Sequence, residues 1–150
     1  MQIETLISPD IIRVPLLAQD RLGAIRELIE LLSAQGLVSD VESAIEITWA
    51  REQERTTGIG EGLAVPHGRC TCVDALTLAI GKPSTPIDFL SFDQKPVRLI
   101  VLVLSPPENT ASHIQVLGGI SRLMCDRMTR EAAYQADTSE ELAAVLQGVS

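Results

Sequence analysis

Apolar residues along the chain are spaced in two ways, at helical intervals and in short continuous runs, so the pattern predicts a mixture of helices and strands. The clearest run, residues 97–104, predicts a central strand that is buried on both faces. Residues 11–17 are aliphatic but include a proline, which cannot donate a ladder hydrogen bond, so we expect a short edge strand there. Two further strands are predicted at residues 63–65 and 75–80.

Four helices are predicted around these strands, and the first should end before Gly36. The apolar faces expected for the first three are, in order, Leu22, Ile25, Ile29 and Leu32, then Val41, Ile45 and Trp49, then Ile114, Leu117, Ile120 or Ser121, and Met124. Capping-box spacing in Ser39-Asp40-Val41-Glu42 and in Thr138-Ser139-Glu140-Glu141 predicts where the second and the last helix begin. Because helices precede and follow the strands, we expect an α/β fold, with a single domain over residues 1–150 and a mixed β-sheet covered by helices.

A glycine-rich segment precedes the strand at residues 63–65, with glycines at alternate positions 58, 60 and 62. We therefore expect a loop or irregular turn over residues 56–62. The glycine spacing is not that of a dinucleotide-binding loop, and the segment lacks the lysine that a P-loop requires. Nucleotide binding is disfavoured on both grounds.

His67 follows Pro66 and precedes Gly68. Proline has a fixed φ and glycine has no side chain, so the imidazole is held on a stiff stem beside an uncluttered neighbour. Such an arrangement suits a nucleophile that a bulky partner must approach. A histidine that only hydrogen-bonds a turn fits the same spacing, and the residues alone do not separate the two interpretations.

The second histidine of the chain, His113, lies three residues after Thr110, which is a suitable N-cap, so we place it in the first turn of the third helix. The positive end of the helix dipole would lower its pKa and leave the imidazole neutral. Arg51 is expected near the C-terminal end of the second helix. Each also has a purely structural interpretation, which is partial burial for His113 and compensation of the helix dipole for Arg51.

Composition limits the possible functions. The chain has 150 residues, of which 45% are hydrophobic and 3% aromatic, enough for one core built mainly from aliphatic side chains. Its net charge of −8 disfavours binding to nucleic acids and anionic membranes. The longest aliphatic run, Leu99 to Leu104, is too short for a membrane span, and the N-terminus lacks a signal-peptide pattern. Three cysteines, Cys70, Cys72 and Cys125, predict reduced thiols and a cytoplasmic protein.

One segment is far more specific than these patterns. Arg51-Glu52, followed by the run from Thr57 through Ala64-Val65-Pro66-His67-Gly68, resembles the phosphorylation-site signature of the fructose/mannitol class of enzyme IIA domains. These domains belong to the bacterial phosphoenolpyruvate-dependent sugar phosphotransferase system. The chain is most similar to the standalone nitrogen-regulatory branch of this class, and the similarity extends over almost the whole chain, including Ser112-His113 and Ser121-Arg122-Leu123. The resemblance implies the mixed α/β fold of the type-2 enzyme IIA domains.

The resemblance also implies a role for each site residue. His67 corresponds to the histidine that accepts a phosphoryl group from the phosphocarrier protein HPr, or its nitrogen-branch counterpart, and passes it on. His113 corresponds to the second active-site histidine, and Arg51 to an arginine that stabilises the transferred group. Loop amides around residues 58–62 are expected to donate further hydrogen bonds. The supporting loop residues are Thr57, Gly58, Gly60, Gly62 and Gly68.

The implied partners are the phosphocarrier and either an enzyme IIB or a regulated target protein. No cofactor, metal, nucleic acid or membrane insertion is implied. Because the sequence as given has no transporter segment and no second domain, we expect a regulatory phosphoryl carrier rather than part of a permease. A detached sugar-specific component that passes phosphate to an enzyme IIB for fructose- or mannitol-type uptake is the first alternative.

Two other classes of function fit the same residues. One is an interaction module that keeps the enzyme IIA scaffold without phosphoryl transfer. The other is a small zinc protein that uses His67, Cys70 and Cys72, although these supply only three candidate ligands at an unusual spacing, and the two cysteines also fit a vicinal redox pair. One departure from the family pattern is Glu54-Arg55-Thr56, which is bulkier and more charged than the usual approach to the loop and is expected to alter docking.

Overall fold

The computed structural model describes residues 3–148. Its strands are β1 (Ile12–Leu16), β2 (Gly58–Gly60), β3 (Leu63–Ala64), β4 (His67–Arg69), β5 (Thr77–Pro83) and β6 (Leu99–Ser105). Its helices are α1 (Arg21–Ala34), α2 (Val41–Glu54), α3 (Thr110–Cys125), α4 (Arg127–Gln135) and α5 (Ser139–Leu146). Two short 3₁₀ helices, Ile3–Leu6 and Pro9–Ile11, precede β1.

The strands form one mixed sheet in the order β1-β5-β6-β3-β2, and β4 also pairs with β6. The centre of the sheet is β6, which runs antiparallel to β5 and parallel to β3 and β4. All of its residues are buried, as expected for an aliphatic strand with both faces covered. The proline-containing β1 lies at the edge beside β5. The predicted α/β fold, with its central and its edge strand, is therefore confirmed.

Helices pack against this sheet and against one another. On the sheet, α1 contacts β1 and β5, α2 contacts β4, α3 contacts β6, and α5 contacts β1. Among the helices, α1 packs against α2, and α4 packs against α3 and α5. Because β4 pairs with β6, side chains of both α2 and α3 can reach the residue at which β4 begins, which is His67. Within residues 3–148, none of the helices combines the length and apolar character that a membrane span requires.

The sequence pattern missed one helix, α4. Its residues are mostly polar, its buried residues are Ala133 and Tyr134, and Met128 is 82% exposed. A helix of nine residues with so few apolar side chains is easily mistaken for a polar connecting segment. Two residues expected on core faces are also placed differently, because Leu22 is 38% exposed and Ile114 is 63% exposed.

The capping box predicted for α2 is wrong. Asp40 rather than Ser39 is the N-cap, and its carboxylate accepts a hydrogen bond from the Ser43 amide at 3.1 Å. Ser39 instead donates to the carbonyl of Cys72 at 3.2 Å, and Glu42 forms an ion pair with α1. Both Ser and Asp can cap a helix, so this tertiary bond decides which of them does.

The capping predictions for the later helices are partly confirmed. Thr138 caps α5, through a 3.0 Å hydrogen bond from the Glu141 amide to its hydroxyl. The Glu141 carboxylate accepts from the amide of Asp137, one residue before the N-cap, so the reciprocal half of the box is displaced. At the start of α3 the N-cap is Asn109, not Thr110.

The predicted loop over residues 56–62 contains a strand. Gly58–Gly60 forms β2 and pairs antiparallel with β3. The two strands are joined at Glu61 and Gly62, whose φ angles are 56° and 84°. The glycines that suggested an irregular loop are the residues that permit this tight turn.

Candidate active site

A pocket of about 440 Å³ brings together four of the eight site residues predicted from the sequence. Arg51 comes from α2, His67 from β4, and Thr57 and Gly58 from the segment that enters β2. The other lining residues are Arg55, Thr56, Ile59, Val65, Phe92, Leu117 and Ser121. His113 adjoins the pocket, because its ring centroid lies 5.4 Å from that of His67. The structure therefore groups the two histidines with the arginine.

His67 is held in one tautomer by a backbone carbonyl that precedes its strand. Its Nδ1 lies 2.8 Å from the carbonyl oxygen of Val65. Because a carbonyl oxygen only accepts, Nδ1 carries the proton and Nε2 keeps its lone pair. Burial lowers the pKa of His67 and the charge of Arg51 adds to this, against the opposing effect of the Val65 carbonyl. At neutral pH, His67 is thus a neutral imidazole with a nucleophilic Nε2.

His113 is more deeply buried, with 7% of its surface exposed, in the first turn of α3. Its Nδ1 lies 2.7 Å from Oγ of Ser105, the last residue of β6. Burial, with further contributions from His67 and Arg69, lowers the pKa of His113 to about 4. The ring is neutral as predicted, but the main cause is burial rather than the helix dipole.

Three arginines surround the histidines. Arg51 lies in the last turn of α2 and donates from Nη1 to the carbonyl of Arg55 at 2.8 Å, so it stabilises the helix end while lining the pocket. The bond supports the structural interpretation of Arg51, and its role in transfer stays a prediction. Arg55 also lines the pocket. Arg69 donates to the carbonyl of Pro107 and to the hydroxyl of Thr110, which ties β4 to the start of α3.

Side chains hold the glycine-rich segment in place. The Thr57 amide donates to Glu52 at 2.9 Å, and the Gly58 amide donates to Oγ1 of Thr56 at 3.0 Å. The Glu61 amide donates at 2.9 Å to a carboxylate in the loop that leads to β6. The amides of Gly58 and Glu61 were expected to be available to a bound group. Both already have partners, so for these two amides that prediction is wrong.

Each of the predicted supporting glycines meets a steric or backbone requirement of its position, and Gly58 also lines the pocket. A Cβ at Gly58 would collide with a serine hydroxyl of the facing loop, and one at Gly68 would lie 2.9 Å from Oγ1 of Thr48 on α2. Both positions therefore require the close approach that only glycine allows. Gly60 and Gly62 have positive φ angles on either side of the turn between β2 and β3.

The cysteines differ from the prediction of reduced thiols. The structure joins Cys70 and Cys72 in a disulfide, with their Cα atoms 5.2 Å apart, while Cys125 is free and exposed. The chain turns at Thr71 and Cys72, which brings the two Cα atoms within the usual range for a disulfide. Within residues 3–148, no three His, Cys, Asp or Glu side chains are grouped so that they could hold a metal ion. The zinc interpretation thus has no ligand set among those residues.

Several contributors to the site have little signal in the sequence. Ser105 ends an aliphatic strand, and nothing local indicates that it would contact a histidine ring. Phe92 lines the pocket and is 83% exposed, whereas the sequence alone would place a phenylalanine in the core. Glu52 does belong to the recognised motif, but its burial, with 1% exposed, could not be predicted from it.

The geometry defines a class of site. A neutral histidine with a free Nε2, an arginine and a second neutral histidine suit the transfer of a compact anionic group, because the guanidinium stabilises charge while the ring nitrogen attacks. Residues 5–149 match the protein family described as "Phosphoenolpyruvate-dependent sugar phosphotransferase system, EIIA 2". The chain therefore belongs to this enzyme IIA family, as its motif indicated.

Similar proteins carry two kinds of name. The chain is 33% identical to a fructose-specific EIIA component from Haloferax volcanii over 124 residues, which are 83% of this chain and 80% of that protein. It is 34% identical to a nitrogen regulatory protein from Bradyrhizobium diazoefficiens over 128 residues, 85% of this chain and 82% of that one. The crystal structure of nitrogen regulatory protein IIA-Ntr from Neisseria meningitidis matches with a TM-score of 0.86 and 29% identity, covering 96% of this chain and 98% of the other. Two longer relatives are matched over 22% of their length.

Proposed function

We propose that this protein is a phosphoryl carrier in which His67 accepts a phosphoryl group from a phosphohistidine of a phosphocarrier protein, HPr or its nitrogen-branch counterpart. The observation that carries this proposal is the bond from Nδ1 of His67 to the Val65 carbonyl at 2.8 Å, which leaves Nε2 free beside the pocket. The activity is that of a phosphotransferase component, and it takes place in the cytoplasm, where phosphoenolpyruvate would load the phosphocarrier.

The transfer exchanges one P–N bond for another. The lone pair on Nε2 of His67 forms the new bond to phosphorus while the bond to the donor's imidazole nitrogen breaks, and the electron pair of the broken bond stays on that nitrogen. The proton on Nδ1 of His67 remains in place. The Val65 carbonyl that accepts it stabilises the positive charge that develops on the ring.

Negative charge on the phosphoryl oxygens is stabilised by the residues around the acceptor. Arg51 supplies a permanent cation with planar donors. His113 supplies a neutral N–H, which lies on Nε2 when the Ser105 hydroxyl donates to Nδ1. Because burial keeps His113 neutral, the arginine provides the full positive charge and the histidine provides direction.

The phosphocarrier meets a face that is unlike the protein as a whole. Ile59 is 46% exposed and Phe92 is 83% exposed beside the pocket, next to Arg51 and Arg55. The chain carries a net charge of −8, so these arginines keep the docking face from repelling an acidic partner surface. Apolar contact around His67 then excludes water from the reacting atoms.

Two fates of the phosphoryl group fit the family. Nitrogen regulatory relatives favour a carrier that signals through its phosphorylation state to a regulated target, and we propose this role first. Phosphorylation adds about −1.5 to −2 charge, so the two forms present different surfaces to such a target. The fructose-specific relative favours a detached component that passes the group to an enzyme IIB. Rapid dephosphorylation of the protein by a fructose-type enzyme IIB would decide for the second role.

Incubation with phosphoenolpyruvate, enzyme I and the phosphocarrier tests the carrier function. We expect acid-labile phosphate on the wild type and none on His67→Gln. The matched control is His113→Gln, which removes the other of the two histidines and should still take up phosphate. Folded wild-type protein that takes up no phosphate would be an interaction module instead. Phosphate retained by His67→Gln would place the acceptor elsewhere.

A further inference from the structure

Glu52 is a buried carboxylate beside the pocket that the transfer step itself does not use. It is 1% exposed and follows Arg51 in the last turns of α2. Successive helical residues point about 100° apart, so Arg51 can line the pocket while Glu52 turns inward. Burying a carboxylate is unfavourable unless it is paired and hydrogen-bonded, so its partners are informative.

The partners of Glu52 come from two other segments. The Thr57 amide donates to Oε2 at 2.9 Å, and the Thr57 hydroxyl donates to Oε1. Nη1 of Arg21, on α1, lies 3.6 Å from Oε2. Thr57 is itself only 3% exposed. The carboxylate therefore binds both donors of Thr57 away from water and fixes the point at which the chain returns from α2 towards β2.

Hydrogen bonds continue from Thr57 to the reacting histidine. The Thr57 carbonyl accepts from the Val65 amide at 3.0 Å, and the Val65 carbonyl accepts from Nδ1 of His67 at 2.8 Å. Every donor in this path points towards Glu52, whose carboxylate is the last acceptor. A displacement of Thr57 would thus be passed to Val65, and from there to the carbonyl that sets the tautomer of the ring.

The charge of Glu52, like its position, favours a nucleophilic Nε2 on His67. It raises the pKa of His67, whereas burial and Arg51 lower it. The His113 ring also lies next to His67, but it is neutral in the fold and so adds no charge there. Glu52 thereby offsets part of the field of the arginine, which would otherwise make Nε2 a weaker nucleophile.

We propose that Glu52 is a positioning residue for phosphoryl transfer: through Thr57 and Val65 it holds the His67 imidazole in the Nδ1–H tautomer, with Nε2 available to the phosphoryl group. This inference rests on the proposed function of His67. Glu52 does not line the pocket, so its loss affects the chemical step and leaves docking of the phosphocarrier intact.

Glu52→Gln is the variant that tests this role, because it keeps the shape, removes the charge and leaves one acceptor atom for the two donors of Thr57. We expect the rate of phosphoryl acceptance at saturating phosphocarrier to fall about tenfold, with an apparent KM within about twofold of wild type. In ¹⁵N NMR spectra, the His67 ring should change from the Nδ1–H tautomer to a mixture, with a lower titration midpoint. Glu46→Gln removes an exposed glutamate from the same helix and should match wild type in every measurement.

A folded Glu52→Gln protein with wild-type rate and a pure Nδ1–H tautomer would overturn the proposal. A lower rate with an unchanged tautomer and titration would also overturn it, because that result indicates a purely structural role. Should Glu52→Gln not fold, Thr57→Val removes the hydroxyl link and keeps the amide link, and the same tautomer shift is expected at a smaller amplitude. A Thr57→Val protein without this tautomer shift would also overturn the proposal. Wild-type protein that takes up no phosphate would refute the proposed function alone, since the tautomer measurement needs no phosphoryl donor.

Discussion

The two histidines lie 5.4 Å apart, ring to ring, yet the regions that carry them give them different chemistry. His67 begins a strand, and a backbone carbonyl holds its Nδ1. His113 lies in the first turn of a helix, and a hydroxyl faces its Nδ1. A carbonyl only accepts, so it fixes the tautomer of His67, whereas the Ser105 hydroxyl can donate or accept. In the proposed transfer, the partner of Nδ1, rather than the residue type, separates the nucleophile from the accessory donor.

Electrostatic surroundings widen this difference. Burial is the main cause of the lowered pKa at both histidines. At His67 the Val65 carbonyl and the charge of Glu52 oppose it. At His113 the two neighbouring groups, His67 and Arg69, lower the pKa further, to about 4. His113 is thus a neutral donor at any physiological pH, while His67 keeps the balance between basicity and neutrality that a nucleophile requires.

Removal of each ring should give the largest contrast. We expect His67→Gln to abolish phosphate uptake, because no other nitrogen occupies its position. His113→Gln should slow uptake about 10²-fold without changing the final amount, the scale of losing one donor to a developing charge. Rapid-quench measurements with preformed phosphorylated carrier give both quantities. Wild-type kinetics in His113→Gln would show that the second histidine has no part in the transfer.

The buried state of His113 should make stability depend on pH. Its pKa is about 4 in the fold against a usual value of 6.5. Between these values the unfolded chain binds more protons, so the free energy of unfolding falls as the pH drops from 6.5 towards 4. We expect this group to account for about 2 kcal/mol of lost stability between pH 7 and pH 5.

Urea unfolding of wild type and His113→Gln at both pH values measures this contribution. The variant should lose about 2 kcal/mol less than wild type over the same interval, because its glutamine does not titrate. Titrating groups that do not interact with His113 contribute equally to both proteins and cancel in the difference. Parallel pH dependences in the two proteins would mean that the His113 ring is not desolvated in solution.

Ser105 tests the hydroxyl side of the comparison. Ser105→Ala leaves the buried Nδ1 of His113 without its partner, so we expect a loss of about 1 kcal/mol in unfolding free energy and a transfer rate lowered by up to about fivefold. Ser84→Ala, at an exposed position, is the matched control. The tautomer of His67 should not change in ¹⁵N NMR spectra. A change there would show that the two histidines are not set independently.

Much of the sheet could be predicted because its strongest signals are local. The aliphatic run that becomes β6 and the proline that marks β1 each identify their place without knowledge of the rest of the chain. Features that depend on distant contacts were not accessible. Ser39 and Asp40 are equally good caps in isolation, and the carbonyl of Cys72 determines which one caps α2. The short helix α4 was missed for a different reason, because its residues are mostly polar and few of them are buried.

The candidate site shows the same division. The motif located Arg51 and His67, the helix start located His113, and the structure groups all three. The pattern could not show that Glu52 turns inward or that Ser105 meets His113, because each contact joins segments separated by a turn or a strand end. Residue identity therefore predicted which groups lie together, and tertiary contacts supplied the protonation state of each histidine.

The smallest expected effect is on the titration of His67 itself. Burial lowers its pKa below the usual 6.5, so less than half of the rings are protonated at pH 6.5, and acceptance should slow by less than about twofold between pH 8 and pH 6.5. NMR titration of the ring protons gives the midpoint directly, and His113, with a midpoint near 4, is the internal comparison. A His67 midpoint at or above 6.5 would mean that the Val65 carbonyl and Glu52 outweigh burial. The pKa values of the two histidines would then differ from the usual value in opposite directions, rather than only in degree.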